Sequence, residues 1–239
     1  MNSTTEINHE KLMELFGNVF NDVAGSMAIM MSYLGDQTGV YRAMDKLGPA
    51  SVEEIAKESN VDERYLLEWL SSNSGRGYVT YHDDEEKFSL SPEQAAVFAR
   101  ENEPTCIQGL VQGVVGQFVK EDIAVDVFQT GRGRPWGEHH ECCFCGTERF
   151  FRPAYAGHLL DEWIPAMEGV EDKLKKGAKV ADIGCGLGTS SMLMAEQYPN
   201  STIHAFDFHG PSIDEAKKRA AEKGLDNLEF FVSDAAAIP

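Results

Sequence analysis

The sequence predicts an α/β chain in two parts. A mostly helical N-terminal domain is closed by a β-hairpin, and the first half of a doubly wound parallel sheet follows. Three observations predict this. The apolar stretch Val180–Ile183 runs into Gly184-Cys-Gly-Leu-Gly188 and then into helix-forming sequence. Two more apolar runs, Thr202–Phe206 and Leu228–Val232, are each followed by an acid, Asp207 and Asp234. Upstream, capping signals and short β runs alternate in the order helix, turn, helix, hairpin. Strands separated by helix-length crossovers imply a parallel sheet whose ligands lie at the C-terminal strand ends.

Residues 9–47 read as helical, with Leu12, Leu15, Phe16, Val19, Phe20 and Val23 at i, i+3, i+4, i+7 spacing. Beyond them Met27, Ile29, Met30, Met31, Tyr33 and Leu34 leave little polar face. Such a helix is expected to be buried in its own core or, as the favoured reading, against a second copy in a homodimer. Its longest uncharged run, Val23–Gly35, falls short of the roughly 20 residues that span a bilayer. Ser51-Val-Glu-Glu54 is a capping box that opens a helix to about Ser59. Asp62 caps a second helix, with Tyr65, Leu66, Trp69 and Leu70 on one side, ended by Gly75 and Gly77. Tyr78–Tyr81 and Lys87–Leu90 read as strands around the acidic turn Asp83-Asp84-Glu85-Glu86. Ser91-Pro92 starts another helix. Together these form a winged-helix pattern over residues 1–103.

Residues 104–170 read as a helical linker and substrate-pocket segment. Ile107–Phe128 mixes helical spacing with Gly109, Gly113 and Gly116, and Gly131–Trp136 is a loop. His139-His-Glu-Cys-Cys-Phe-Cys145 is read as an extended loop near a substrate mouth. Zn²⁺ binding is the less favoured reading, because the ligands are crowded and no second cluster has the right spacing. His139, His140, Phe150, Phe151 and Tyr155 are therefore the candidate pocket residues, and no metal is expected. Asp172–Gly177 reads as a polar hinge before residues 171–239, the partial sheet domain. There Thr189–Gln197 is the first crossover helix, and Ser212 is expected to cap a second one ending at Gly224.

The glycine turn is G-x-G-x-G. A dinucleotide fingerprint needs its third glycine one residue later, where Thr189 stands. Asp207, about 20 residues on, suits bidentate bonding to ribose hydroxyls. Asp182-Ile-Gly-Cys-Gly-Leu-Gly188, Asp207-Phe208 and Ser233-Asp234-Ala235 resemble the cofactor half of class I S-adenosylmethionine-dependent methyltransferases, a Rossmann-like fold. The resemblance implies S-adenosyl-L-methionine as cofactor. Asp182, Gly184, Cys185, Gly186 and Gly188 would lie along its methionine part, Asp207 on the ribose, Phe208 on the adenine face, and Asp234 and Ala235 at the adenine edge. Residues 51–57 and 62–70 resemble the N-terminal winged-helix dimerisation domain of small-molecule methyltransferases. That family's sheet has about seven strands, so a C-terminally truncated chain is expected. The general base usually comes from the later strands, and no catalytic residue is named.

Charge narrows the partners. The chain holds 21 Lys and Arg against 39 Asp and Glu, a net −18, which opposes contact with nucleic acid or anionic membrane. The helix at Asp62–Ser72 lacks the clustered basic charge of a DNA reader. The expectation is a cytoplasmic, dimeric enzyme that transfers a methyl group to a small molecule. The alternatives are a winged-helix, ligand-sensing transcriptional regulator built on a methyltransferase-like domain, and a fragment too short to hold cofactor.

Overall fold

The computed structural model describes residues 7–238; residues 1–6 and Pro239, the outermost parts of the predicted terminal domains, lie outside the described residues. The chain divides into two compact units, Met1–Ala99 and Arg100–Pro239.

The first unit comprises helices α1 (His9–Gln37), α2 (Val40–Leu47), α3 (Val52–Ser59) and α4 (Glu63–Gly75), the antiparallel hairpin β1 (Thr80–His82) and β2 (Lys87–Ser89), and α5 (Pro92–Phe98). Its starts follow the capping chemistry. The Ser51–Glu54 and Ser91–Gln94 capping boxes both form, and the Asp62 carboxylate accepts from the Tyr65 N–H at 3.1 Å. The expected single helix over 9–47 is broken at Gly39, whose φ of 77° lies outside the helical region. Val40, Tyr41, Met44, Ile55, Leu66, Trp69, Leu70 and Phe88 form the core. Tyr41 meets Trp69 edge-on at 4.9 Å, and Trp69 Nε1 donates to the Met31 carbonyl at 2.7 Å. Tyr65 lies at the outer edge of that face and is 73% exposed.

Helix α1 departs from expectation more sharply. It buries only Ala28, Ser32, Gly35 and Asp36, while Leu12, Leu15, Phe16, Val19, Phe20, Val23 and Met27 are exposed. Among the described residues its apolar ridge packs into no core.

In the second unit, α6 (Gln108–Phe118), α7 (Glu121–Thr130) and α8 (Glu141–Ala154) lead into a π-helical segment, Tyr155–Trp163. Pro153 inside α8 has no N–H to give the preceding turn, which accounts for the change of register just after it. The segment expected as a polar hinge is instead helix α9 (Val170–Lys176). Glu171 and Asp172 stand in its first turn and Lys173, Lys175 and Lys176 in its last, the polarity that the helix dipole favours. The unit ends with β3 (Lys179–Ile183), α10 (Thr189–Gln197), β4 (Thr202–Asp207), α11 (Gly210–Lys223) and β5 (Leu228–Val232).

The strands pair in parallel in the order β3-β4-β5, with Ile183 opposite Phe206 and Phe206 opposite Phe231. One sheet face packs Ile203, Ala205, Leu228 and Phe230 against Met192 and Ala195 of α10 and Ile213 and Ala216 of α11. On the other, Phe231 stacks on Phe206 and Ile183 is 57% exposed. Among the described residues β3 is an edge strand. No described helix is long and apolar enough to cross a membrane.

Candidate functional site

The glycine turn is built on β4. The Gly184 and Cys185 N–H groups both donate to the Phe206 carbonyl, at 2.8 and 3.0 Å, so the turn hangs on the neighbouring strand. Gly184 and Gly186 have φ of +77° and +54°, and a Cβ on either would meet nothing within 4 Å. The space above the turn is open to a ligand. Gly188 serves another purpose: its Cβ would lie 2.7 Å from the Phe230 ring, so it lets α10 approach the sheet.

Three carboxylates surround the turn. Asp182 Oδ2 accepts from the Ser190 and Ser191 hydroxyls at 2.7 and 2.6 Å, pinning the first turn of α10 to β3. Asp207 accepts from the Gly186 N–H at 2.9 Å and the His209 N–H at 2.8 Å, which holds the turn and the strand end together. Glu148, reaching over from α8 with its side chain only 10% exposed, accepts from the Thr189 hydroxyl at 3.0 Å. Arg152 and Arg219 each stand 3.6 Å from the Glu148 carboxylate. Glu148 carried no sequence signal, since it lies far from the glycine motif, between the His139–Cys145 stretch and the aromatic run that begins at Phe150.

A cavity of about 230 Å³ opens over the turn. Asp182, Gly184, Cys185 and Gly186 line it below, with Trp136, Phe144, Phe151 and Tyr155 opposite. Of the residues named from sequence, Phe151 and Tyr155 thus lie on its wall. Gly188, Asp207, Phe208, Asp234, Ala235, His139, His140 and Phe150 are not on that wall. Phe208 is 57% exposed just beyond Asp207, and the Asp234 side chain accepts from the Ala236 N–H at 2.9 Å. These sit at the open C-terminal ends of β4 and β5.

The 139–145 stretch is not the extended loop that its polarity suggested. His140 is the N-cap of α8, its Nδ1 accepting from the Cys142 N–H at 3.2 Å. Helical winding turns Cys142 and Cys143 inward, where both are buried on Gly116 of α6. Among the described residues no group of three or more His, Cys, Asp or Glu converges as a metal site. His139 lies behind Trp136, ring centroids 5.3 Å apart. His209 joins the same aromatic chain through Phe144 at 4.6 Å, and its Nδ1 lies 2.7 Å from the Ser212 hydroxyl. Ser212 is therefore inside α11, not its cap, and His209 holds the cap position. His204 is half-buried on the open sheet face, edge-on to Phe231. Cys185 is buried. Burial, reinforced by Asp182 and Asp207, pushes its thiol up to about 12, the opposite of an activated nucleophile.

Comparison with known proteins bears on both units. Residues 25–100 match the Rv2258c-like winged HTH domain, and residues 174–239 match a methyltransferase domain. Aklanonic acid methyltransferase DauC of Streptomyces sp. (strain C5) is 40% identical over 60 residues, 25% of this chain and 27% of that one. A tRNA (guanine-N(7)-)-methyltransferase of Hydrogenovibrio crunogenus is 34% identical over 74 residues, 28% of this chain and 31% of that one. The chain therefore spans under a third of either relative's length. In structure, the mitomycin 7-O-methyltransferase MmcR superposes with a TM-score of 0.67 at 15% identity, covering 97% of this chain and 70% of that one. Human N-acetylserotonin methyltransferase, solved with SAM, gives 0.61 at 14% identity, covering 97% and 68%. The fold is that of these methyltransferases.

Proposed function

We propose that this chain, a winged-helix domain followed by a Rossmann-like methyltransferase domain, binds S-adenosylmethionine over its glycine turn and serves methyl transfer to a small molecule. One observation carries the reading: the turn at Gly184–Gly188 is open above, tied to the ribose-side acid Asp207, and lined by carboxylates. The α10 N-terminus would ordinarily attract a phosphate. Here its first-turn hydroxyls are turned onto Asp182 and Glu148. A phosphate charge 4 Å from either carboxylate would cost about 4 kcal/mol at an effective dielectric of about 20. A ligand bearing a sulfonium and an ammonium suits the same ground.

When bound, S-adenosylmethionine supplies an electrophilic methyl group on a sulfonium. In this reading Gly184 and Gly186 let its amino-acid end approach the backbone, flanked by Asp182 and Cys185. Asp207 keeps lone pairs for ribose hydroxyls beyond its two backbone donors. Phe208, Asp234 and Ala235 take the adenine, on the open side of the strand ends. Trp136, Phe144, Phe151 and Tyr155 roof the cavity, excluding water and orienting an acceptor; such positioning supplies much of the rate in group transfer. Phe150 supports the roof through its edge contact with Phe151 at 5.2 Å.

A small-molecule acceptor is favoured by the net −18 charge, by the acidic hairpin turn, and by the acceptors named for DauC and MmcR. The exposed ridge of α1 is assigned to a homodimer, since a run of seven large apolar side chains is otherwise left in water. Five free cysteines accord with a reducing, cytoplasmic setting. Calorimetry with S-adenosylmethionine and S-adenosylhomocysteine tests the cofactor site. Micromolar binding lost in Asp207→Ala is expected, and a folded chain that binds neither would overturn the reading. Sedimentation of a Phe16→Asp, Phe20→Asp variant checks the dimer, which should become monomeric.

A further inference from the structure

The loop between α7 and α8 carries two arginines in opposite circumstances. Arg132 is saturated: Nε meets Asp126 at 2.6 Å, and Nη1 and Nη2 meet Glu138 at 3.1 and 2.9 Å. Arg134, two residues on, meets no carboxylate among the described residues, in a chain with nearly twice as many acids as bases. Its Nη1 donates to the Gln117 side-chain oxygen at 3.3 Å, while Nε and Nη2 are buried with no partner. Those two N–H groups lie on the same side of the guanidinium, the side-on fork that grips a carboxylate with two parallel bonds. Close by, His139 Nδ1 is likewise buried and unpartnered. Burial and the Arg134 charge hold that imidazole below its ordinary value, so it is neutral near pH 7. Trp136 connects this pair to the cavity: its ring centroid lies 5.3 Å from that of His139, and it lines the cavity over the glycine turn, whereas Arg134 and His139 do not.

In this partly buried guanidinium the two unpaired fork atoms are shielded from solvent, and such groups call for a partner, an ordered water or a ligand, that completes them. We infer that Arg134, assisted by His139, is a binding site for a small-molecule carboxylate beside the cavity, reached past Trp136. Two sources share that chemistry, an acidic acceptor and the amino-acid end of the cofactor. The naming of these sources rests on the methyl-transfer reading; the site itself does not.

The experiment titrates the whole chain and its Arg134→Met and Arg134→Lys variants with three kinds of probe. These are S-adenosylhomocysteine, 5′-methylthioadenosine, which is the same thioether nucleoside without the amino-acid end, and salicylate, 4-hydroxybenzoate and anthranilate, each against its carboxamide. If the cofactor is the source, Arg134→Met weakens S-adenosylhomocysteine tenfold or more and leaves methylthioadenosine unchanged. If the acceptor is the source, it removes the preference for carboxylate over carboxamide and leaves both nucleosides unchanged. Arg134→Lys, which keeps the charge without the fork, falls between. Removing a partly buried, unpaired charge should also leave the Tm of Arg134→Met at or above that of the parent. A lowered Tm with every ligand unaffected would make Arg134 a structural residue and overturn the inference. So would a parent chain that favours no carboxylate in any pair. Arg134-dependent carboxylate binding by a chain that binds neither nucleoside would leave this site standing and refute the methyl-transfer reading instead.

Discussion

Two regions of the second unit are dense in glycine, and they use it for opposite ends. Where α6 crosses α8, the helix backbones touch: a Cβ on Gly109 would lie 2.4 Å from the Phe150 nitrogen, and one on Gly146 would lie 2.5 Å from the Gly109 oxygen. At the β3–α10 turn, a Cβ on Gly184 or Gly186 would meet nothing. The first set of glycines excludes everything but backbone, whereas the second keeps a space clear. Density of glycine in a sequence does not separate the two, and the direction of the missing Cβ does.

Four measurements would break or sharpen that contrast. The largest effect is expected for Gly146→Ala. Its Cβ meets main-chain atoms that cannot swing aside, so denaturant unfolding should show a loss of about 3 kcal/mol or more, the upper end for overpacking. A loss below about 1 kcal/mol would mean that the crossing is looser than it appears. Gly188→Ala comes next, at about 2 kcal/mol from the Phe230 clash and its φ of +78°. Since one opponent is a side chain, Phe230→Leu should restore part of that. Gly186→Ala should cost only about 1 kcal/mol of stability, from its left-handed backbone, yet weaken S-adenosylhomocysteine tenfold or more in calorimetry. Equal affinity would show that the clear space is not the ligand's. The smallest effect is at Cys185. With its thiol raised to about 12, the thiolate is scarce at pH 8, and the fraction charged rises only as the pH approaches 12. Mass mapping after iodoacetamide at pH 8 should find Cys145 modified ahead of Cys185: its thiol is also raised by burial, but its side chain is reachable from solvent.

Much of the frame was legible because it rests on local chemistry. The Ser51–Glu54 and Ser91–Gln94 boxes, the Asp62 cap and the three strand ends each depend on residues within a few positions of one another. The seam of α6 and α8 was not, because Gly109 and Gly146 are 37 positions apart and their fit is tertiary. His140 as a cap was not legible either: imidazole is an uncommon capping group, and the cysteines beside it give the stretch the composition of a metal site. Helix α9 did carry a signal, acids first and lysines last, which a reading for hydrophobic periodicity passes over in a seven-residue element. Of the candidate site, the turn and its acids stood out in sequence. Glu148 and Arg134 did not, since each is significant only for what α8 and the preceding loop bring near it.

The clasp at Arg132 has a consequence for handling this protein. It joins Asp126 on α7 to Glu138 just before α8, so one exposed guanidinium closes the loop that presents Arg134 and Trp136. The α6–α8 crossing beneath it is held by close contact and is indifferent to ions, but the clasp is electrostatic. At 1 M salt the screening length shrinks to about 3 Å, comparable to the bonds themselves. Ionic strength should therefore loosen the lip of the cavity while the floor stays put, and buffers used for crystallisation and for assay would then sample different openings of one site.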